Sequence, residues 1–306
     1  MKVIAVNTSD RKGTVKKPVP GIVLNMEGIE NDAHAGPWHR QVSLLGIESI
    51  RRFEKETGRP IAQGEFAENI TTEGLELSGT SPLSLIQNDN IILEITQIGK
   101  KCHGSSCSIY KELGDCIMPK EGIFARVKKA GGLKAGDILD YSPKIVKAFI
   151  ITLSDRASKG QYKDVSGPLI AERLEKHVKD SGWDFEAGLQ IIPDEIEVLQ
   201  NLLQSKIGKF DLVFTTGSTG IGPRDIAPEA VRPLLDKEIP GIMELIRVKY
   251  GMEKHNALLS RSLAGVIEKT LIYCLPGSPR AIEEYTGEIF KTLKHSLLML
   301  NSIDQH

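Results

Sequence analysis

Two stretches of this chain carry residue types and spacings that could do chemistry. In residues 210–225 a short apolar run, Leu212-Val213-Phe214, breaks into Gly217, Gly220 and Gly222 interleaved with hydroxyl residues. Glycine tolerates positive φ and close approach of backbone to ligand, so such a loop can aim several N–H groups at an anion. Gly217 and Gly222 have the spacing of half a P-loop, but Pro223 and Arg224 stand where that motif needs Lys and Ser or Thr. This is no Walker A site, and alone the loop reads more readily as a tight turn than as a ligand site. The second stretch holds Cys102, His103 and Cys107, with Cys116 close behind. A thiol beside Lys101 and His103 gains thiolate character, which suits a nucleophile, a sulfur carrier or a metal ligand. Zinc is a rival reading, since Cys102, His103, Cys107 and Cys116 could supply four ligands, although paired C-x2-C knuckles are lacking. Inert buried thiols are the third.

Composition narrows the function classes. A chain of 306 residues implies two domains at roughly one per ~150. Lys plus Arg number 39 against 40 Asp plus Glu, which gives no electrostatic support to nucleic-acid or membrane-surface binding. The opening residues MKVIAVN turn polar too soon for a signal peptide, and no apolar run approaches the ~18 residues of a membrane span, so a cytoplasmic setting is expected. Four cysteines are too few for a disulfide scaffold and, in a reducing compartment, favour chemistry or metal over cross-links.

The elements that must position these groups differ between the halves. Up to about residue 141 the texture is short strands and glycine turns: Val3-Ile4-Ala5-Val6, Gly21-Ile22-Val23-Leu24, and the β-branched run 90–98. One helix is predicted over about 46–56, stopped by Thr57-Gly58-Arg59-Pro60. Such a half suggests a barrel or curled sheet. Within it, Asp32, His34, His39 and Arg40 crowd a Gly-Pro turn that could face an anion or be a solvated loop. Glu68 and Asn69 precede a short strand and could cap a turn as well as meet a ligand.

After Ser142-Pro143-Lys144 strands and helices alternate. Strands are predicted at 146–153, 189–192, 212–214 and 270–275, with helices at 166–180, capped by Ser166 and stopped by Gly182, at 194–207, and at the end of the chain. Regular βα alternation implies a parallel sheet covered on both faces, with ligands beyond the carboxyl ends of its strands. Four strand-end segments then meet along one edge: 154–160, 193–195, 215–225 and 276–279. They offer glycine and hydroxyl groups for phosphate, Arg156 and Arg224 for negative charge, and Asp194 and Asp225 for a hydrated magnesium ion. Asp194 and Asp225 also stand where helices begin and could be N-caps.

These motifs carry two family resemblances. Residues 1–141 resemble a MOSC domain through NDAHAG at 31–36 with His39-Arg40-Gln41-Val42, GEFAEN at 64–69, Cys102, GIFARV at 122–127 and GGLKAGD at 131–137. The resemblance implies a mainly β, barrel-like domain in which Cys102 bears persulfide sulfur, independently of pyridoxal, or meets the metal. His34, Arg40, Asn69 and Arg126 would line the anionic cofactor's pocket. The extra pair Cys107 and Cys116 departs from the family.

Past a 142–146 linker, residues 147–306 resemble the molybdopterin adenylyltransferases of the MogA/MoaB type. The motifs are TLSDRAS at 152–158, IPDE at 192–195, TTGSTG at 215–220, GPRDIAPEA at 222–230, PGIMELIR at 240–247, LSRSLAG at 259–265 and LPGSP at 275–279. That resemblance implies a three-layer α/β domain that uses ATP and magnesium to adenylate the terminal phosphate of molybdopterin, releasing pyrophosphate. Asp194 and Asp225 would be the catalytic and metal-binding acids. Ser154, Asp155, Arg156, Thr216, Gly217, Ser218, Thr219, Gly220, Arg224, Pro276, Gly277 and Ser278 would bind the nucleotide and substrate, together with Glu244, Ser260, Arg261 and Ser262. It also implies a homotrimer. A sulfur donor or a molybdenum-inserting protein is the expected partner of the pair of domains, which together would serve molybdenum cofactor biosynthesis. Ser218 stands where the family usually has a second glycine. That departure favours the alternative class, a non-catalytic carrier or storage protein for molybdopterin or the finished cofactor.

Overall fold

The computed structural model describes residues 1–101 and 116–303. The chain divides into two compact units, one of Met1–Lys144 with the chain end from Ser302, the other of Ile145–Asn301.

Among the described residues the first unit is built on β1 (Lys2–Thr8), β2 (Lys17–Val19), β3 (Ile22–Asn25), β4 (Gly28–Ile29), β5 (Val42–Gly46), β6 (Ile70–Glu73), β7 (Leu85–Gln87), β8 (Ile92–Ile98), β9 (Ile123–Lys129), β10 (Gly131–Leu133) and β11 (Asp140–Ser142). Eight form one sheet in the order β11-β7-β8-β9-β5-β6-β1-β2, and β10-β3-β4 form a second. Short strands follow from the β-branched runs: Ile91, Leu93 and Ile95 alternate into a core shared with Val42, Leu44, Ile70 and Ile123. The chain entering β11 at one end of the large sheet also bonds to β1 near the other end, with Val3 N donating to Asp137 O (2.9 Å) and Leu139 N to Met1 O (2.8 Å). The contact amounts to a single bridge, Lys2 to Ile138, instead of a continuous ladder. The first-half helix runs Ile47–Thr57, buries Ile50 and Phe53 on one face, and ends on Gly58 at φ 70°.

The second unit alternates as its pattern predicts. β12 (Ile145–Leu153), β13 (Asp184–Ile192), β14 (Leu212–Thr216), β15 (Lys237–Glu238), β16 (Leu263–Ile267) and β17 (Thr270–Leu275) form one sheet in the order β13-β12-β14-β17-β16-β15. The first four in that order run parallel. Alternate residues serve opposite faces. Phe149, Ile151, Leu153, Val213 and Ile272 meet Leu199 and Leu203 of helix Ile196–Lys206. Helices Ser166–Asp180 and Pro279–Leu300 pack on each other and on β12 and β17 respectively. β16 and β15 are antiparallel additions for which residues 237–267 give no strong local alternation.

β13 starts at Asp184, five residues before the apolar run that signalled it, because its early residues lie at an exposed sheet edge. Ser166 does not cap its helix; the Asp164 carboxylate does, accepting from Ser166 N (2.9 Å) and Gly167 N (3.2 Å). Neither Asp194 nor Asp225 is an N-cap: Glu195 and Ile226 occupy those positions, and neither helix start is capped by a side chain.

Candidate functional site

The carboxyl ends of β12, β14 and β17 bring the strand-end segments of the second unit together. Gly217 N donates to Leu275 O (3.0 Å), and Thr216 Oγ1 to Pro276 O (3.0 Å). Glycine is required at 217, where φ is +96° and a Cβ would lie 2.5 Å from Leu153 O. At Gly220 a Cβ would lie 2.7 Å from Asp225 Oδ2, so its absence makes room for that carboxylate. Between the two loops lies a cleft of about 320 Å³ with Ser218, Thr219, Gly220 and Asp225 on one side and Gly277 and Ser278 on the other. Asn256, Leu259 and Ser260 complete it. Asn256 belongs to the turn His255–Leu259, and no local pattern marked it.

Ser218 adopts φ +57°, the left-handed conformation that disfavours a side chain. Its hydroxyl offsets this by bridging the loop: it donates to Arg224 O (2.9 Å) and accepts from Ile226 N (2.8 Å). The loop thus keeps its form without glycine. Arg261 closes the same loop from outside. Its backbone N donates to Thr219 O (2.8 Å), Nε to Gly220 O (2.6 Å) and Nη2 to Asp225 O (2.8 Å), while Nη1 pairs with Glu229. Sequence reasoning placed Arg261 among ligand-binding groups; the structure spends its guanidinium on the loop.

The acids sit in a chain of contacts. Asp225 Oδ2 accepts from Gly222 N (2.8 Å). Asp155 N donates to Asp194 Oδ2 (3.0 Å) and Asp194 N to Asp155 Oδ1 (3.2 Å), a reciprocal pair joining the ends of β12 and β13. Arg224 reaches across from the glycine loop, donating through Nε (3.0 Å) and Nη2 (2.5 Å) to Asp155 Oδ2. That hydrogen bonding holds the Asp155 carboxyl below the usual carboxylate range. Asp194 is therefore linked to the loop through Asp155 and Arg224 and does not itself line the 320 Å³ cleft.

Other sequence-predicted residues divide. Ser154 and Ser278 cap the helices after β12 and β17, accepting from Ala157 N (3.2 Å) and Ala281 N (3.3 Å). Arg156 is exposed, its guanidinium 5.3 Å from the Tyr162 ring centre. Ser260 and Ser262 share a hydrogen bond (2.7 Å), and Tyr285 OH donates to Ser260 Oγ (3.0 Å). Glu244 is exposed on helix Pro240–Gly251 and lies off the cleft. An adjacent recess of about 250 Å³ shares Ser260 and holds Arg232 and Arg247.

In the first unit a cleft of about 380 Å³ is lined by Lys12, His34, Trp38, Arg40, Asn69 and Lys100, among others. Lys12 Nζ and the Arg40 guanidinium lie 5.7 and 5.1 Å from the Trp38 ring centre. Arg126 does not line the cleft: Glu94 on β8 takes it, with Nε to Oε2 at 2.6 Å. Beside His34 is a buried pair whose lysine the sequence did not mark. Lys16 Nζ lies 2.5 Å from Asp32 Oδ2, both side chains 1% exposed. Burial drives the Lys16 ammonium down from its ordinary value, against the pull of Asp32. Burial would raise Asp32, but its contacts with His34 and Lys16 and the lysine charge bring its carboxyl far below the usual range. Asn69 Nδ2 donates to Asp32 Oδ2 (3.0 Å), and its Oδ1 accepts from Ser43 N (3.1 Å) and Oγ (3.0 Å). Glu68, left open between capping a turn and meeting a ligand, makes turn contacts: Oε1 accepts from Gly64 N (2.6 Å) and Thr71 Oγ1 (3.0 Å). Cys102, His103 and Cys107 lie outside the described residues. Cys116 packs against the cluster of Leu45, Phe53 and Phe66, and Cys274 is buried in β17, its thiol pushed up to about 12 by burial.

Residues 149–295 match the family described as "Probable molybdopterin binding domain", and residues 31–140 match the MOSC domain. A molybdopterin adenylyltransferase of Pyrococcus furiosus is 39% identical over 51% of this chain and 94% of its own length. One of Helicobacter pylori is 37% identical over 48% of this chain and 82% of its own. Gephyrin of Dictyostelium discoideum is 37% identical over half of this chain, which spans only 22% of that larger protein. The glycine loop, the acids and the strand order that positions them are thus those of a chain whose second half belongs to the molybdopterin adenylyltransferase family, joined to a MOSC domain, in molybdenum cofactor biosynthesis.

Proposed function

We propose that the second unit, residues 147–306 beyond a 142–146 linker, transfers AMP from Mg-ATP to the terminal phosphate of molybdopterin. A phosphate oxygen of molybdopterin bonds to the α-phosphorus of ATP, the bond to the β-phosphate oxygen breaks, and pyrophosphate leaves. The observation that carries this reading is the convergence of residues 217–225 and 276–278 on one cleft beyond parallel strand ends. Magnesium, when bound with the triphosphate, neutralises charge on the phosphates. Asp225, on the cleft, would hold it, because a magnesium ion takes one or two carboxylates and fills its remaining positions with phosphate and water; Asp194 stands off the cleft, tied to the loop through Asp155 and Arg224, as the second acid of the proposal. Backbone N–H groups of residues 218–221 orient phosphate oxygens, those of Gly217 and Gly222 being held by Leu275 O and Asp225, and Arg224, exposed beyond its pair with Asp155, balances their charge. Ser218 is accommodated by its own hydrogen bonds, so its departure from glycine does not weigh against the enzyme.

The first unit, residues 1–141, is read as a barrel-like module that binds the cofactor or sulfurates it through Cys102, with His34, Arg40 and Asn69 on its cleft. A short tether raises the local concentration of one unit's product for the other. The trimeric assembly and cytoplasmic setting belong to the same proposal; among the described residues no helix is long and apolar enough to cross a membrane.

The test is pyrophosphate release by the full chain with ATP, magnesium and molybdopterin, in wild type and Asp225→Ala. Release dependent on both magnesium and molybdopterin, and lost in the variant, is expected; release undiminished by the substitution would remove Asp225 from the site. Mass spectrometry of Cys102→Ala as purified should show loss of any sulfane sulfur carried by the wild type. Retention there, with loss in Cys107→Ala or Cys116→Ala, would move the chemistry to those thiols.

A further inference from the structure

Among the described residues His34 is the imidazole that lines the first-unit cleft, and which of its nitrogens carries the proton decides whether it can donate to an anion there. Its Nδ1 faces inward, 3.2 Å from Lys16 Nζ and 3.3 Å from Asp32 Oδ1. Its side chain is 27% exposed, and Nε2 is the ring nitrogen left for the cleft. The two inward neighbours demand opposite things. If Nδ1 bears the proton it donates to Asp32 but opposes a lysine N–H, and a neutral ring then turns a bare Nε2 outward. If Nδ1 is bare it accepts from Lys16, and Nε2–H points outward.

Hydrogen-bond accounting separates them. Asp32 is already supplied: Oδ2 accepts from Lys16 Nζ (2.5 Å), Asn69 Nδ2 (3.0 Å) and Ser9 N (3.2 Å), and Oδ1 from His34 N (2.9 Å). Lys16 has three protons to place, is 1% exposed, and has Asp32 and the His34 ring as its side-chain acceptors among the described residues. A buried ammonium proton without an acceptor costs more than a missing extra donor on a carboxylate that has four. Glu68 and Lys100 are the other charged groups that act on Lys16, and they pull in opposite directions.

We propose that Lys16 is a positioning residue: by donating to Nδ1 it holds neutral His34 in the tautomer that presents Nε2–H to the cleft as a donor for an anionic group. Asp32 supports this by anchoring Lys16 and does not itself choose the tautomer. The purpose assigned to the donor rests on the reading of the cleft as an anion site; the tautomer is to be measured without ligand, so the two can fail separately.

The experiment is long-range proton–nitrogen correlation of histidine rings in the 15N-labelled full chain, at a pH where the spectrum shows neutral rings, with the signal assigned by its absence in His34→Asn. Wild type is expected to show Nδ1 unprotonated and Nε2 protonated. In Lys16→Met the proton should move to Nδ1, against Asp32. Asp32→Asn, which keeps the lysine, should leave the wild-type pattern in place and serves if Lys16→Met does not fold. A protonated Nδ1 in the wild type, an unchanged pattern in folded Lys16→Met, or a switch in Asp32→Asn would each overturn the assignment.

Discussion

Replacing Ser218 with glycine restores the residue usual for the family and should nevertheless destabilise this protein. The hydroxyl makes two hydrogen bonds, to Arg224 O and from Ile226 N, that span the loop between 218 and 226. At about 1 kcal/mol net each, their loss costs about 2 kcal/mol. Relief of the left-handed conformation at φ +57° returns roughly 1 kcal/mol or slightly more, less roughly 0.5–1 kcal/mol for the greater freedom of glycine in the unfolded chain. The net expectation is a loss of about 1.5 kcal/mol for Ser218→Gly and about 2 kcal/mol for Ser218→Ala, which forfeits the bonds and keeps the strain. For a unit of this size that lowers Tm by roughly 3–8 °C. Urea unfolding followed through Trp183, buried in the second unit, in a Trp38→Phe background would measure both. A glycine variant more stable than wild type would refute the reasoning and make Ser218 a liability of the loop instead of its tie.

Two further outcomes follow from the same geometry. Arg261→Lys should lower kcat/KM for pyrophosphate release by about 10–100-fold, since an ammonium cannot reproduce the fork that holds Gly220 O and Asp225 O, and misplaced groups are costly; wild-type turnover would show that the loop needs no clamp. Glu68 is buried, which pushes its carboxyl up against the donors of Gly64 and Thr71. A raised folded pKa favours the protonated form, so its contribution to stability is present at acid pH and lost as pH rises from the ordinary glutamate range through the elevated value. Glu68→Gln should remove that loss, and the wild type and variant should diverge in denaturant midpoint toward alkaline pH, the variant being the more stable; parallel midpoints from pH 4 to 9 would count against a raised Glu68.

Much of the second unit was legible because its signals are local. An apolar run such as Leu212-Val213-Phe214 followed by glycine announces a strand entering a loop, and βα alternation predicts that such ends share an edge. Gly217 and Gly220 were visible for the same reason: their need for space is written in the residue type. Asp194 and Asp225 were found, but whether they capped helices could not be read, because a cap and a site acid look alike until the helix start is placed one residue away.

What only the tertiary structure decided are partnerships across long stretches of chain. Arg261 acts on carbonyls 36 and 41 residues away, so it clamps the loop that the sequence had it serve beside. Arg126 was assigned to a pocket by its motif, yet Glu94 on the neighbouring strand takes it. Lys16 looks like one of two lysines before Pro18, and nothing local says that folding buries it against Asp32 and His34. Residue type and spacing determined which groups could do chemistry, since turn and strand preferences act over a few residues. The fold determined which of them are free to do it, since a buried charge or an unpaired carbonyl must find a partner wherever the chain brings one.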